Sequence, residues 1–431
     1  MPVSAGLLTD RYELTMLTAF VRDGTVEHPA VFEVFARRLP EGRRFGVVAG
    51  LGRLRELLAD FRFTAEEVAW LRARDVVDDA TARWLAGFRF TGDVDAYPEG
   101  ELYFPGSPVL TVRGTLGECV MLETLVLSVL NHDSAVAGAA ARMVLAAGDR
   151  PLVEMGSRRT HEDAAVAAAR AAYLAGFAST SNLAAGLRYG VPTVGTAAHA
   201  FTLAHATERD AFASQVAVQG KDTTLLVDTY DVAEGIRTAV EVAGPGLGAV
   251  RIDSGDLAET ASAARALLDE LGARETRIIA TSDLDEFVIT ALADAPIDGY
   301  GVGTRLVTGS GHPTAGMVYK LVAVGSSPGG PLRPVAKKSH DKVSVGGAKT
   351  AWRRAVDGVL AAEWYRVDGR EEPDARPVQV PVVRGGAVVH APTLEEVRAT
   401  CRAALAGLPP GARTVAAGPA YLTAGLEGEP S

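Results

Sequence analysis

Cysteine is almost absent: the 431 residues include only Cys119 and Cys401, too few for a disulfide framework and in no spacing that makes a metal motif. A reducing compartment, the cytoplasm, is the setting this composition leads us to expect. No apolar stretch approaches the roughly 20 residues that a membrane-spanning helix needs. The first 20 residues carry Asp10, Arg11 and Glu13 and lack a basic start followed by an apolar block, so no signal peptide is expected. A surplus of positive charge is lacking too. The formal charge is -10, which speaks against nucleic acid as a partner, because a phosphate backbone selects basic surfaces. Small anions are not excluded, because local cations remain at Arg37-Arg38 with Arg43-Arg44, at Arg158-Arg159, and at Lys337-Lys338 with Lys342. A solvated surface face is the bland reading of each pair.

What is present is a globular composition, 48% hydrophobic. The length exceeds the roughly 250–300 residues at which one core stops growing, so two domains or a large barrel with a satellite are expected. The middle of the chain has a rhythm. Short apolar runs read as strands: PLVEMGS (151–157), VPTVGT (191–196), TLLVDTY (224–230), AVRIDSGD (249–256), RIIATSD (277–283) and DGYGVGT (298–304). Between them lie Ala/Leu-rich segments such as 161–176 and 257–271, the second with apolar residues near helical spacing. Such alternation calls for parallel strands with helical crossovers, which fits a barrel and a doubly wound sheet alike. The flanks differ. Residues 27–115 read as strands and turns, 117–131 as an apolar helix, 326–334 (SSPGGPLRP) as a linker, and 362–370 and 378–386 as strand-like. The two flanks are expected to pack together as a second domain, 1–115 with 326–431, around a central domain of 116–325. The last dozen or so residues are expected to fray.

Polar residues follow the apolar run in six of these units: Ser157 and Arg158, His199, Asp228, Asp253 and Asp256, Ser282 and Asp283, Gly303 and Thr304. Parallel folds gather strand carboxyl ends on one face, so these groups are candidates for one site. In RIDSGD (251–256), Asp253 and Asp256 suit hydrogen bonds from ribose hydroxyls, stabilisation of a positive sugar carbon, or a hydrated Mg²⁺. Asp256 equally suits the cap of the next helix. GYGVGTRLVTGSG (299–311) offers backbone N–H groups to a phosphate, or simply makes a tight turn. It lacks the spacing of a dinucleotide fingerprint. His199 in GTAAHAF is a candidate for proton or phosphoryl transfer, against the commoner structural histidine.

Ten segments, in order, resemble the nicotinate phosphoribosyltransferase family: LTDRYELTM (8–16), FEVFARRLP (32–40), YFPGSPVL (103–110), EMGSRR (154–159), GFASTSN (176–182), GTAAHAF (195–201), LLVDTYD (225–231), RIDSGDL (251–257), TSDLDE (281–286) and YGVGTRL (300–306). The resemblance implies an irregular α/β barrel, the type II phosphoribosyltransferase fold, with a second, smaller α/β domain formed by the N- and C-terminal flanks. It implies nicotinic acid and phosphoribosyl pyrophosphate (PRPP) as substrates, Mg²⁺ as cofactor, ATP as co-substrate, and a homodimer with a shared active site. By position, His199 matches a histidine phosphorylated by ATP, and Tyr12 an aromatic stacking on the pyridine from the other subunit. Arg158 matches an arginine at the ring carboxylate, Asp253 the acid at the ribose, and Gly303 with Thr304 the 5′-phosphate loop. Ser282 is a further substrate contact, Asp256 a cofactor contact, and Arg37 and Lys338 match cations near phosphate or pyrophosphate. Ser181 stands where a nicotinamide-using relative carries aspartate, so a neutral hydroxyl beside Arg158 favours the acid over the amide. Two positions depart from the pattern: Ala200, where serine is frequent, and Met155, where an aromatic is common and a thioether keeps an apolar face. The rivals are a nicotinamide- or quinolinate-using enzyme and a non-catalytic nucleotide-binding barrel.

Overall fold

The computed structural model describes residues 3–337, 345–367, 369–370 and 372–426. It divides into two compact units, Gly138–Gly311 and Met1–Ala137 with His312–Ser431. In the first unit, six parallel strands form an open, curled sheet, half of a barrel. Their order is Ser179–Thr180, Leu152–Glu154, Gly299–Val302, Arg277–Ser282, Ala249–Ile252 and Thr224–Leu226. Leu225, Val250, Ile278, Tyr300 and Val302 are fully buried, as expected of parallel strands covered on their faces. The crossovers are the helices expected from the Ala/Leu-rich segments, Glu162–Ala175, Glu208–Gln219, Val232–Ala243 and Leu257–Glu270 among them. Side-chain caps start them: Asn182, Thr207, Asp231, Asp256 and Asp285 each accept from first-turn backbone N–H groups.

Five of the six anticipated runs are strands. The exception is VPTVGT, which makes only an isolated bridge, Thr193 to Thr180. The sixth strand is Ser179–Thr180, from GFASTSN. Two residues bounded by Ala178 and Ser181 give little periodicity to read.

The flanking unit is built on a seven-stranded sheet that is antiparallel at every pairing. Its central strand Pro29–Ala36 lies between Met317–Gly325 and Leu110–Thr115. The division between units therefore falls at 137/138 and 311/312, not at 115/116 and 325/326. Met317–Gly325 belongs to the flanking sheet, and SSPGGPLRP is the turn and return strand of its hairpin with Leu332–Pro334. The first turns of the helix Glu123–Ala147 contribute Leu125, Val126, Val129 and Leu130 to the flanking core. With these additions the flanking unit is the larger of the two. The stretch Leu116–Ala147 is long and apolar enough to cross a membrane, yet 67% of its most apolar window is buried within the fold, as in the core helix of a globular protein.

Charges in the flanking unit are buried in pairs. Lys349 Nζ donates to Glu33 Oε2 at 2.6 Å. Arg353 bridges Glu101 and Glu363 with its side chain 5% exposed, and loss of one partner from such a network costs about 3–5 kcal/mol. Glu13 is buried at Thr9 and Thr124. Burial pushes its carboxyl up to about 7, against hydrogen bonds from both threonines that favour the ionised form. A folded-state value above the unfolded 4.5 makes its contribution to stability complete below 4.5, and that contribution disappears as pH rises through 7. Glu13→Gln is expected to flatten the fall in Tm between about pH 5 and pH 8; a slope identical to that of the parent protein would refute this account.

Candidate active site

The carboxyl ends of five of the six strands, all but Thr224–Leu226, line a cleft of about 650 Å³. Of the residues singled out in the sequence, Arg158, Ser181, His199, Asp253, Ser282, Gly303 and Thr304 all line it. Asp256 does not. Its carboxylate accepts from Ala258 N at 3.0 Å and Glu259 N at 3.1 Å, so it is engaged as a helix cap. Tyr12 and Arg37 are exposed residues of the flanking unit. Lys338 and Lys342 lie outside the described residues.

His199 opens the short helix His199–Leu203. Its Nδ1 lies 3.1 Å from the Thr229 hydroxyl, and its Nε2 lies 3.8 Å from Asp228 Oδ1 and 3.9 Å from Asp253 Oδ2. The Asp228 side chain is 1% exposed. Its Oδ2 accepts from Asp253 N at 2.8 Å and Ser254 Oγ at 2.7 Å, while its Oδ1 is buried with no hydrogen-bond partner among the described residues. Among the described residues the Asp253 carboxylate is held on one side: Thr281 Oγ1 donates to its Oδ1 at 2.6 Å. Its side chain is 38% exposed, so Oδ2 remains available to a ligand.

Strand alternation places Arg251 on the same face as Asp253. Arg251 Nη1 donates to Thr196 Oγ1 at 2.6 Å, and its Nε is buried without a partner among the described residues. Burial depresses its pKa, while Asp253 and Asp228 act to raise it and Arg158 adds to the depression. An arginine stays charged through such shifts. With Arg158 and Arg159 it gives the cleft three guanidinium groups against the carboxylates of Asp253 and Asp283. Arg251, Thr196, Thr229 and Thr281 were not singled out from the sequence. Period-two spacing from Asp253 would have found Arg251, but the threonines carry no mark that separates them from ordinary strand residues.

The floor is set by backbone proximity. Met155 N donates to Val302 O at 2.8 Å. A Cβ on Gly301 would lie 2.6 Å from Thr281 Cγ2 and 2.8 Å from Met155 Sδ. The glycine therefore lets the thioether and the threonine close over the strand. Buried Glu154 accepts from Thr180 Oγ1 and Gly156 N. This ties the loop carrying Arg158 to the loop carrying Ser181, whose N–H donates to Glu154 O at 2.8 Å. Ala200 brings no hydroxyl to His199, and Thr229 supplies one instead. Among the described residues no group of three or more His, Cys, Asp or Glu side chains forms a metal cage.

A parallel α/β sheet whose strand ends bring guanidinium, carboxylate and imidazole groups to one cleft defines an enzyme acting on a small anionic substrate. Residues 7–131 match the family model of the nicotinate phosphoribosyltransferase (NAPRTase) N-terminal domain. The chain is 58% identical over 417 residues to nicotinate phosphoribosyltransferase pncB1 of Mycobacterium tuberculosis, a match covering 94% of this chain and 91% of that one. It is 40% identical over 361 residues to the nicotinate phosphoribosyltransferase of Bacillus subtilis, covering 81% and 73%. The crystal structure of human nicotinic acid phosphoribosyltransferase superposes with a TM-score of 0.82 at 27% identity, covering 97% of this chain and 98% of that one. The chain belongs to the nicotinate phosphoribosyltransferase family.

Gly301→Ala is expected to overpack the cleft floor, lowering unfolding stability by about 1–3 kcal/mol and displacing Met155. Denaturant unfolding with parent-like stability would show that the floor is looser than these contacts require.

Proposed function

We propose that the chain joins nicotinic acid to PRPP, forming nicotinate mononucleotide and pyrophosphate, as a step of pyridine nucleotide salvage. The observation that carries this reading is the convergence of Arg158 and the neutral Ser181 on the cleft that also holds Asp253 and His199. The ring nitrogen of nicotinate bonds to C1 of the ribose, the C1–O bond breaks, and the electron pair leaves with pyrophosphate. Positive charge builds on the sugar in passing. Asp253, steadied by Thr281, offers Oδ2 to a ribose hydroxyl and a negative charge to that sugar. The planar fork of Arg158 suits the substrate carboxylate. Gly303, Thr304 and Ser282 line the part of the cleft assigned to the 5′-phosphate. Holding two substrates in register supplies much of the acceleration.

Mg²⁺ would fit this donor set as an ion carried largely by the substrate's phosphate oxygens, with Asp253 and Asp283, and not the capping Asp256, as the protein carboxylates that face the cleft. When bound it supplies positive charge against the leaving group. ATP is the proposed co-substrate: His199 Nε2, left open because Nδ1 faces Thr229, takes the γ-phosphoryl group as ADP departs, and hydrolysis later restores the imidazole. In a cytoplasmic homodimer, Tyr12 and Arg37 would reach the cleft from a second copy.

Incubation with PRPP and Mg²⁺ is expected to release pyrophosphate with nicotinic acid and not with nicotinamide. Ser181→Asp, which sets a carboxylate against the substrate's own, is expected to lower kcat/KM for nicotinate at least about tenfold. Equal use of both pyridines, or unaltered nicotinate kinetics in the variant, would overturn the acid-specific reading. Independently, γ-labelled ATP is expected to leave acid-labile label on the parent protein and none on His199→Ala. An unlabelled parent protein would remove the phosphohistidine from the scheme.

A further inference from the structure

The loop that follows Gly303 and Thr304 is held by a group remote from the cleft. Three successive residues, Gly309, Ser310 and Gly311, adopt left-handed φ of 63°, 53° and 87°. For the two glycines this conformation is easy, and for Ser310 it is unfavourable. Ser310 is nevertheless fixed there. Its N–H donates to Arg305 O at 2.6 Å, and its hydroxyl donates to Glu286 Oε2 at 2.6 Å. Glu286 is 2% exposed, and its other oxygen accepts from Arg142 Nε at 3.0 Å. Arg142, 4% exposed, also lies over the Phe287 ring. The carboxylate is therefore buried with charge compensation, and its hydrogen bond to a hydroxyl in a strained turn is of the strong, charge-assisted kind.

Glu286 stands three residues after Asp283, which with Ser282 lines the cleft, and Asp285 caps the helix that Glu286 begins. Ser310 ends the turn begun at Thr304, through Thr308 N to Thr304 O at 3.1 Å and Gly309 N to Leu306 O at 3.0 Å. One buried carboxylate thus couples the two cleft loops 282–283 and 303–304, although it touches neither substrate position. We infer that Glu286, clamped between Arg142 and Ser310, is a positioning residue that sets the distance between these loops and so the affinity for the phosphoribosyl substrate, without contributing to pyridine recognition. The inference rests on the assignment of the 303–304 loop to the 5′-phosphate.

Ser310→Gly tests it best, because glycine relieves the backbone cost while deleting only the hydroxyl. The variant is expected to weaken PRPP binding, measured by calorimetry without pyridine, and to raise its KM, each by roughly tenfold. The nicotinate KM should stay within about twofold, with Tm close to that of the parent. Ser310→Asn, which tolerates a left-handed φ and still donates, is expected to recover most of the loss. Parent-like PRPP affinity in Ser310→Gly, or an equal loss toward both substrates, would overturn the positioning role. A parent protein that binds PRPP but releases no pyrophosphate with nicotinate would instead sink the functional assignment and leave the clamp standing.

Discussion

The cleft depends on a carboxylate that is almost wholly out of contact with solvent. Asp228 holds the backbone N–H of Asp253 and the hydroxyl of Ser254 with one oxygen and turns the other, which has no hydrogen-bond partner among the described residues, toward His199. A buried acceptor without a donor costs about 1–3 kcal/mol. That cost is offset whenever positive charge or a donor occupies the space in front of it. The arrangement stores a local demand for a cation or N–H at the point where His199 and Asp253 face each other. The order of the sheet makes this meeting possible, because Thr224–Leu226 and Ala249–Ile252 are neighbours and Leu226 pairs with Arg251, one residue before the second strand ends.

The aspartates of the central unit divide into two groups by position in the strand-to-helix turn. Those immediately before a helix, Asp231, Asp256 and Asp285, accept first-turn N–H groups and are consumed in capping. Those closer to the strand end, Asp228, Asp253 and Asp283, remain for the site. The local reason is geometric. A cap must fold back on its own helix, whereas a residue still in extended backbone projects from the sheet edge. RIDSGD and TSDLDE each contain one of both kinds, which is why such short motifs look doubly functional when read as strings.

Polar groups behind and beneath the charged residues of the cleft do much of the positioning. Glu154 beneath the Arg158 and Ser181 loops, Thr281 behind Asp253, Thr229 beside His199 and Glu286 behind the 303–304 turn each fix a loop that the sheet alone leaves free. In the flanking unit the same logic ties distant segments: Glu33 to Lys349, and Glu101 with Glu363 to Arg353. Buried charges of this kind add little net stability when intact, and they penalise strongly any arrangement that separates them.

The sequence by itself determined the class of fold, the five longer strands of the parallel sheet, the helices between them and many of the polar cleft residues, because each follows from local periodicity, capping chemistry or motif order. It did not determine the unit boundaries. Met317–Gly325 joins the flanking sheet through pairing with Pro29–Ala36, nearly three hundred residues earlier, and no local pattern encodes a partner that distant. Nor did it decide the fate of Asp256 or reveal the roles of Thr229, Thr281 and Glu286. Those depend on which side chains meet across neighbouring strands and turns. Hydrogen bonding at about 3 Å is decided by tertiary geometry, and a one-dimensional pattern carries no such distances.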